Sequence, residues 1–371
     1  MTRTWSTQQS AALDAVAQWH GAALRGSGPQ VFRVFGYAGT GKTTLARHFA
    51  GQIDGSTCYA AFTGKAALMM RRNGCADAST IHGLIYQVED RDDGTVRFRL
   101  DPESAAAEAA LIVIDECSMV DEELGRDLMS FGRPILVLGD PAQLPPVKSA
   151  GFFTNAEPDV MLTEIHRQAA DSPIIQLATA ARLGERLELG EYGCCRVIER
   201  GILKGREVVA ADQVLVGKNV TRHAYNRRMR EVLGFEQPMP AVGDRLVCLR
   251  NDRPCGIFNG GLFTVREVMA KRGEREFVHM LVDAEDFPDR APVEVKVRRE
   301  FFTGGAEDLA WQDLRGSQQF DFGYALTTHK AQGSQWPDVI VYDESGVFRD
   351  DWRRWLYTAI TRAAERVTIV A

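Results

Sequence analysis

Short apolar runs alternate with amphipathic stretches through the first half of the chain. The apolar runs are Val31–Phe35, Cys58–Phe62, Leu111–Ile114 and Ile135–Leu138. Runs of this length without polar alternation are typical of strands that are buried on both faces of a parallel sheet. Helices between successive strands would then cover the two faces of that sheet. The pattern therefore predicts an α/β domain with the layout common among nucleotide-binding proteins.

A small insertion interrupts this alternation between the second and third runs. The segments Ile85–Glu89 and Thr95–Leu100 both have strand-like composition, and Asp93 and Gly94 lie between them. An Asp-Gly pair between two such segments is a strong signal for a tight hairpin turn. We therefore expect a two-stranded hairpin that projects from the first domain.

The second half of the chain begins with another strand signal, Gln213–Val216, followed by a helical stretch, Arg222–Glu231. Beyond a Pro- and Gly-rich break the pattern changes to alternating apolar and polar positions, in Arg245–Arg250, Leu262–Val268, Phe277–Val282 and Val293–Val297. Such alternation is typical of antiparallel strands with one buried face, here in a small β-barrel. Buried strands return in Val339–Tyr342 and Val367–Val370. This half therefore predicts a second α/β domain that carries a β insertion.

Composition narrows the class of protein without identifying it. The 371 residues contain 44 Lys and Arg against 50 Asp and Glu, a net charge of −6, which excludes a uniformly basic polyanion binder but leaves room for a basic channel. The seven cysteines are odd in number and lack zinc-ligand spacing, as expected in a reducing cytosol without a metal cluster. No apolar run approaches the roughly 18 to 20 residues of a membrane span, and no signal-peptide core is present. We expect a cytoplasmic protein without a membrane partner.

Gly36–Thr43 follows the pattern G-x-x-x-x-G-K-T directly after the first strand and directly before a helical stretch. In such a P-loop, backbone N–H groups and the helix N-terminus surround phosphate oxygens. Lys42 would reach the β- and γ-phosphates, and Thr43 would ligate Mg²⁺. The residues expected to hold the nucleotide are Ala38, Gly39, Thr40, Gly41, Lys42, Thr43 and Thr44.

Asp115 and Glu116 follow the third apolar run, Leu111–Ile114. Ligands of open α/β sheets bind at the carboxyl ends of the strands, where these two acids would lie. Asp115 would hold Mg²⁺ through water, and Glu116 would orient and deprotonate an attacking water. A solvated acidic loop after a core strand is the alternative.

The segment Gly139–Pro146, Gly-Asp-Pro-Ala-Gln-Leu-Pro-Pro, resembles motif III of the superfamily 1 helicases of the RecD/Dda-like branch. It differs from the UvrD/Rep pattern, in which Gln-Ser-Ile-Tyr follows the Gly-Asp. The other helicase motifs appear in the expected order and extend over nearly the whole chain. Phe62–Ala67 resembles motif Ia, Thr80–His82 motif Ib, Tyr324–Ser334 motif V and Tyr357–Ala363 motif VI. Because that branch moves 5′ to 3′, the resemblance implies this polarity.

On the nucleotide side, the resemblance implies roles for four further positions. Gln9 matches the glutamine that reads adenine, and Gln143 of motif III would bond the γ-phosphate and transmit its loss to the DNA-side loops. Arg167, in the motif IV match Glu164–Gln168, would also reach the γ-phosphate. Arg362, in motif VI, would act as an arginine finger on the developing charge, with ATP held between Lys42 of one domain and Arg362 of the other.

On the nucleic-acid side, the resemblance implies strand contacts in motifs Ia, Ib and V, in the pin hairpin, in the second motor domain and in the β insertion. The residues are Thr63, Lys65, Thr80, His82, Phe98, Asn219, Arg222, Asn259, Thr327, His329 and Lys330. Helix capping or a local hydrogen bond is the alternative for the threonines, histidines and lysines.

Further side chains have chemistry that suits a nucleic-acid strand. The basic residues that could face phosphates in the helical stretch are Arg222, Arg227, Arg228 and Arg230, a solvated basic face being the alternative. Trp336 could either stack on a base or pack in the core.

The resemblance implies an α/β protein with two RecA-like parallel-sheet motor domains, a small β-hairpin (pin) insertion and an SH3-like β-barrel insertion. The expected boundaries are 1–84 and 111–187 for domain 1A, 85–110 for the pin domain 1B, 188–240 and 320–371 for domain 2A, and 241–319 for the SH3-like domain 2B. Lys42 and Arg362 would thus lie in different motor domains.

The implied function is that of a DNA helicase with ATP and Mg²⁺ as cofactors, acting 5′ to 3′ on single-stranded DNA and tailed duplex DNA in replication or recombination. We expect a monomer, with single-stranded-DNA-binding or replication proteins as partners and a phage or mobile element as a source. The alternatives are an RNA helicase or a non-unwinding translocase of the same superfamily, and an ATP-dependent binding switch that does not step.

Overall fold

The computed structural model describes residues 5–90, 96–145, 151–165, 171–252, 255, 257, 259–271, 273–285, 287 and 290–371. The chain divides into two compact units. The first comprises Met1–Leu187 and Arg353–Thr361, and the second comprises Glu188–Trp352 and Arg362–Ala371. A late helix of the chain therefore belongs to the unit built mainly from the first half.

The first unit is built on a six-stranded sheet. Its strands, with a separate hairpin, are β1 (Val31–Gly36), β2 (Thr57–Ala61), β3 (Ser79–Thr80), β4 (Tyr86–Asp90), β5 (Val96–Leu100), β6 (Leu111–Asp115), β7 (Ile135–Gly139) and β8 (Val160–Leu162). The order in the sheet is β3-β2-β6-β7-β1-β8, and every neighbouring pair is parallel. The four apolar runs are β1, β2, β6 and β7, so the predicted parallel sheet is confirmed.

Helices cover both faces of this sheet. They are α1 (Thr7–Leu24), α2 (Lys42–Ala50), α3 (Gly64–Arg72), α4 (Ile81–Ile85), α5 (Ala105–Glu108), α6 (Glu122–Met129) and α7 (Pro173–Leu183). In β6, Leu111 and Val113 pack in one core cluster with α1 to α3, while Ile112 and Ile114 pack in another with α4 and α6. The central strand is thus buried on both faces, which explains its unbroken apolar sequence.

The predicted hairpin is present as strands β4 and β5, which pair antiparallel with Tyr86 opposite Leu100. The Tyr86 hydroxyl donates a hydrogen bond of 2.5 Å to Asp127 of α6, which ties the base of the hairpin to the first unit. The predicted turn residues Asp93 and Gly94 lie outside the described residues.

The second unit contains two sheets. Its strands are β9 (Gly190–Tyr192), β10 (Cys195–Ile198), β11 (Gln213–Val216), β12 (Arg245–Cys248), β13 (Leu262–Met269), β14 (Phe277–Ala284), β15 (Val293–Arg298), β16 (Phe320–Phe322), β17 (Ala325–Thr327), β18 (Trp336–Tyr342) and β19 (Ala363–Val370). Its α-helices are α8 (Gly205–Ala210), α9 (Asn219–Leu233) and α10 (Glu300–Thr303), and α11 (Trp352–Ile360) follows β18.

One of these sheets has the order β17-β11-β18-β19-β10-β9 and is parallel except for the β9–β10 hairpin. The other is antiparallel, with the order β15-β14-β13-β12-β16. Alternate residues of β14, such as Met280 and Val282, are buried against Val295 and Val297. The predicted second α/β unit is therefore present and carries an antiparallel sheet, and the SH3-like barrel form of the insertion stays a prediction. Within the ranges described, the chain contains no helix long and apolar enough to cross a bilayer.

Candidate ATP site and nucleic-acid face

The P-loop connects β1 to α2 by a turn that only glycine accommodates. Gly39 and Gly41 have φ values of 80° and 83°, in the left-handed region that side chains disfavour. A Cβ atom on Gly36 would lie 2.7 Å from Thr40 Oγ1 and 2.9 Å from the Leu162 carbonyl oxygen. The sequence pattern therefore reflects a tight cradle that leads into the N-terminus of α2.

Lys42 lies across this loop. Its ammonium donates to the carbonyl oxygens of Gly36 at 2.6 Å and Tyr37 at 3.1 Å, and the Thr40 hydroxyl donates to the same Tyr37 carbonyl. The cation is thus held at the mouth of the cradle, where a nucleotide phosphate would approach. Thr44 lies in the first turn of the helix that begins at Lys42.

Gln9 links α1 to the P-loop through its side-chain amide. Its Nε2 donates to the Thr40 carbonyl at 3.0 Å, its Oε1 accepts from the Ser6 N–H at 3.1 Å, and only 3% of the residue is exposed. Each end of the amide makes one of the two hydrogen bonds open to it, so recognition of adenine by Gln9 stays a prediction. Its observed role is to fix the conformation of the loop.

Thr43 and Asp115 come together as the sequence predicts. The Thr43 hydroxyl donates to Asp115 Oδ2 at 2.8 Å, and Asp115 Oδ1 accepts from the Glu116 N–H. A hydroxyl and a carboxylate are hard oxygen donors of the kind that Mg²⁺ prefers, with phosphate and water as its other ligands. Among the described residues no group of three His, Cys, Asp or Glu side chains could hold a metal by itself. The donor set therefore fits a magnesium that arrives with its nucleotide.

Glu116 has strained backbone geometry directly beside Asp115. Its φ and ψ of 52° and 46° are left-handed, which a non-glycine residue adopts at a cost of about 1–3 kcal/mol. Residues held in this way cluster at functional sites, because the surrounding structure must hold a side chain where it is needed. This geometry favours the catalytic interpretation of Glu116 over that of a solvated acidic loop.

Two residues of α11 that sequence reasoning missed also contact the ATP site. The Tyr357 hydroxyl accepts from the Ala38 N–H of the P-loop at 2.7 Å and donates to Asp140 at 2.6 Å. The Thr358 hydroxyl accepts from the Leu144 N–H at 2.9 Å. Their position just before the motif VI arginine was the signal that could have found them.

Arg182 of α7 is a third residue that the sequence did not single out. Its guanidinium carbon lies 3.8 Å from the ring centroid of Tyr37, the second residue of the P-loop. This is a close cation–π contact. It places a further positive charge next to the residue whose carbonyl oxygen binds Lys42.

The remaining predicted catalytic residues are not all brought together. Gln143 lies in the loop that follows β7, and its Oε1 is buried without a hydrogen-bond partner within the described ranges. Arg362 is buried in the second unit, where it donates to the Ser334 carbonyl at 3.3 Å. Arg167 lies outside the described residues.

The predicted strand contacts in motifs Ia and Ib have structural roles in the first unit. Thr63 and Thr80 cap α3 and α4, accepting from the N–H groups of Ala66 and Gly83. Lys65 is 7% exposed. Capping is therefore the observed function of the two threonines, and strand contact stays a prediction for all three residues.

The ring of His82 packs in an aromatic cluster that extends to the hairpin. It lies 6.2 Å from Phe62, 5.6 Å from Tyr86 and 6.0 Å from Phe98, measured between ring centroids. Phe98 remains 46% exposed at the edge of this cluster. An exposed aromatic on a supported hairpin suits stacking on a nucleic-acid base.

In motif V, the Lys330 side chain is exposed but its ammonium lies in a desolvated position near Arg222. Desolvation, and then the Arg222 charge, lower the pKa of Lys330 to about 8. Burial also lowers the pKa of His329, whose ring centroid lies 5.6 Å from that of Phe348. Thr327 is buried, and its hydroxyl accepts from the Lys330 N–H at 3.4 Å.

Two of the arginines predicted to face phosphates are committed to buried ion pairs. Arg222 bonds Asp321 at 2.7 Å, with side-chain exposures of 5% and 7%, and Arg230 bonds Asp244 at 2.8 Å. The prediction is therefore wrong for the guanidinium groups of Arg222 and Arg230 in this structure. Asn219 supports the first pair, accepting from Arg222 Nε.

The other arginines predicted to face phosphates, Arg227 and Arg228 of α9, are exposed, as a phosphate contact requires.

Trp336 is 6% exposed and so packs in the core, which decides between the two alternatives, base stacking and core packing, that the sequence left open. Asn259 is exposed beside the antiparallel sheet, with its N–H bonded to Asn251, and its neighbour Phe258 lies outside the described residues.

A glycine-rich cradle with Lys42 across it, and a Thr43–Asp115 pair beside it, defines a P-loop nucleotide-binding protein. A family model described as an AAA domain matches residues 6–199, and one described as a UvrD-like helicase C-terminal domain matches residues 322–370. The chain therefore belongs to the AAA domain family, with a helicase-type C-terminal part.

Individual relatives confirm the resemblance to the RecD/Dda-like helicases. The ATP-dependent RecD2 DNA helicase of Deinococcus radiodurans is 30% identical over 393 residues, covering 97% of this chain and 48% of that protein. The ATP-dependent DNA helicase dda of Enterobacteria phage T4 is 32% identical over 165 residues, covering 40% of this chain and 37% of that protein. The chain thus spans about half the length of the RecD2 relative.

The fold is shared with solved helicase structures. The Pif1 helicase from Bacteroides, solved in complex with ADP-AlF3 and single-stranded DNA, superposes with a TM-score of 0.55 at 17% identity, covering 100% of this chain and 93% of that one. At this identity the likeness concerns the fold alone.

Proposed function

We propose that the protein is an ATP-driven motor that moves 5′ to 3′ along single-stranded DNA and unwinds tailed duplexes. The observation that carries the proposal is the 2.8 Å bond between Thr43 and Asp115 beside an intact P-loop, in a chain of the AAA domain family with a helicase-type C-terminal part. The DNA helicase relatives support DNA as the substrate, and the RecD/Dda-like form of motif III supports the polarity.

The chemistry follows from the residues of the ATP site. Thr43 and Asp115 would hold Mg²⁺, which when bound offsets the negative charge of the phosphates. Lys42 stabilises the charge that develops on the γ-phosphoryl group, and Glu116 orients the attacking water and accepts its proton. Arg362 would add a second positive charge as an arginine finger.

The insertions would serve strand separation. We interpret 85–110 as a pin domain whose exposed Phe98 stacks on the first unpaired base, and 241–319 as an SH3-like domain. The ATP-binding motor domain then comprises 1–84 with 111–187, and the second comprises 188–240 with 320–371, except that Arg353–Thr361 belongs to the first compact unit. The observations that support this interpretation are the β4–β5 hairpin and the antiparallel sheet.

The proposal is tested by steady-state hydrolysis of Mg-ATP, without nucleic acid and with poly(dT) or poly(U). Asp115→Asn and Lys42→Ala should each lower turnover by about 10² to 10³, since each removes a charge aimed at the phosphates. Asp54→Asn changes an exposed carboxylate of the same unit and is the matched control.

Wild-type turnover by Asp115→Asn would refute this assignment. Stimulation by poly(U) but not poly(dT) would favour the RNA-directed alternative, because backbone and stacking contacts separate the two only where a group reads the 2′-OH. Tight ATP-dependent DNA binding without turnover would favour a binding switch.

A further inference from the structure

Helix α11 holds both ends of the loop that carries Gln143. The loop begins at Asp140, whose Oδ2 accepts from the Tyr357 hydroxyl at 2.6 Å. It reaches Leu144, whose N–H donates to Thr358 Oγ1 at 2.9 Å. Two adjacent residues of one helix therefore fix the loop on either side of Gln143.

The same helix also contacts the P-loop through Tyr357. Its hydroxyl accepts from the Ala38 N–H at 2.7 Å while donating to Asp140, so one oxygen atom joins three segments of the first unit. Tyr357 is 2% exposed, Thr358 0% and Asp140 8%. Hydrogen bonds in such dry surroundings are costly to break, because the groups left behind find no water.

Hydrogen bonds within the loop between these two attachments hold the backbone of Gln143 in place. Asp140 Oδ1 accepts from the Ala142 N–H at 2.9 Å, and the Asp140 carbonyl accepts from the Gln143 N–H at 3.2 Å. The backbone of Gln143 is therefore fixed, while its side-chain Oε1 is buried without a partner among the residues described. A buried amide oxygen with no partner is expected where a ligand or water completes the site.

We propose that Tyr357 and Thr358 are positioning residues, which hold the 140–144 loop against the P-loop so that Gln143 responds to the nucleotide. This inference rests on the proposed ATPase function. It assigns to α11 a mechanical role separate from that of Arg362, since neither hydroxyl needs to touch ATP. Movement of the P-loop at Ala38 would be passed to the 140–144 loop through the shared tyrosine oxygen.

The test compares ATP hydrolysis by wild type, Tyr357→Phe, Gln143→Ala and the double variant. Tyr357→Phe keeps the ring and removes only the hydroxyl, so it should lower kcat by about tenfold while KM for ATP changes less than about threefold. If Tyr357 acts through Gln143, the double variant should be no slower than Gln143→Ala alone, because residues that act as a unit are not additive.

Tyr324→Phe is the matched control, because the Tyr324 hydroxyl also joins a backbone N–H, that of Arg245, to a buried aspartate, Asp244. It lies in the second unit, and its kcat should stay within about twofold of wild type. Thr358→Val should behave like Tyr357→Phe, and Thr358→Ser, which restores the hydroxyl, should recover turnover.

Two results would overturn the positioning role. One is a double variant whose loss of kcat is the product of the two single losses, and the other is an equal loss of kcat in Tyr357→Phe and Tyr324→Phe. Strand release from a tailed duplex is measured in parallel on wild type. Hydrolysis without strand release would refute the helicase proposal, but the variants' hydrolysis rates could still be compared. A wild type that hydrolyses no ATP would overturn both the helicase proposal and the positioning role.

Discussion

Breaking the buried pair of Arg230 and Asp244 should destabilise the second unit strongly, because it leaves a buried charge without its partner. Asp244 is fully buried and accepts four hydrogen bonds: from Arg230 Nε and Nη2 at 2.8 and 2.9 Å, from the Ala241 N–H at 2.8 Å, and from the Tyr324 hydroxyl at 2.9 Å. It thereby ties α9 to the antiparallel sheet at the start of the insertion. Asp244→Asn keeps the shape but removes the charge.

The size of the effect depends on the hydrogen bonds that Arg230 keeps after the substitution. Breaking a buried ion pair by removing one partner costs about 3–5 kcal/mol. Arg230 keeps its bonds to the Gln237 and Met239 carbonyls, at 2.8 and 2.9 Å, so we expect the lower end of that range. A loss of about 3 kcal/mol corresponds to a fall in Tm of about 6 to 12 °C for a unit of this size.

Urea denaturation and thermal melting of the full chain measure this loss. The matched control is Glu231→Gln, which removes a carboxylate from the same helix, where Glu231 pairs with Arg228 at 2.8 Å and the side-chain exposures are 48% and 75%. An exposed pair of this kind should change the free energy of unfolding by less than about 1 kcal/mol. Equal effects of the two substitutions would refute the reasoning from burial.

Three further predictions concern the ATP site and the nucleic-acid face. Gly36→Ala should abolish measurable ATP binding in a fluorescent-nucleotide titration, because its Cβ would lie within 2.9 Å of backbone and side-chain atoms; binding at wild-type strength would contradict the tight cradle. Glu116→Gln should bind ATP normally and lose turnover by about 10² or more, and unchanged turnover would remove Glu116 from the role of base. Because the pKa of Lys330 is lowered to about 8, its positive charge is largely present at pH 7 and largely lost at pH 9. Fluorescence anisotropy should therefore show single-stranded DNA affinity falling over this range by up to about tenfold, with a flatter profile for Lys330→Arg; equal slopes would exclude Lys330 as the contact.

The sequence was most informative where the structure is local. Gly36 to Thr43 form the P-loop within a few residues of one another, and the strand before it and the helix after it were both predictable from their apolar pattern. The acid pair at the end of β6 was equally predictable, because parallel strands present their carboxyl ends at one edge of the sheet. Three-residue strands such as β8 and β17 were not predictable, since so few positions carry no periodic signal.

The sequence misled where the partner of a charge lies far along the chain. The partner of Arg222 is Asp321 on β16, and nothing in the helical pattern around Arg222 distinguishes it from the exposed Arg227. No pattern in the sequence indicated that the Gln9 amide bonds Ser6 and Thr40. The sequence did not single out Tyr357, because only the fold brings its hydroxyl to the P-loop.

The most direct test of the account is ATP-dependent strand release from a duplex with either a 5′ or a 3′ single-stranded tail, with Lys42→Ala as the inactive control. We predict release from the 5′-tailed duplex alone, and none from either duplex with Lys42→Ala. Release from the 3′-tailed duplex would contradict the polarity. Release by Lys42→Ala at the wild-type rate would contradict the claim that hydrolysis at this P-loop drives the motor.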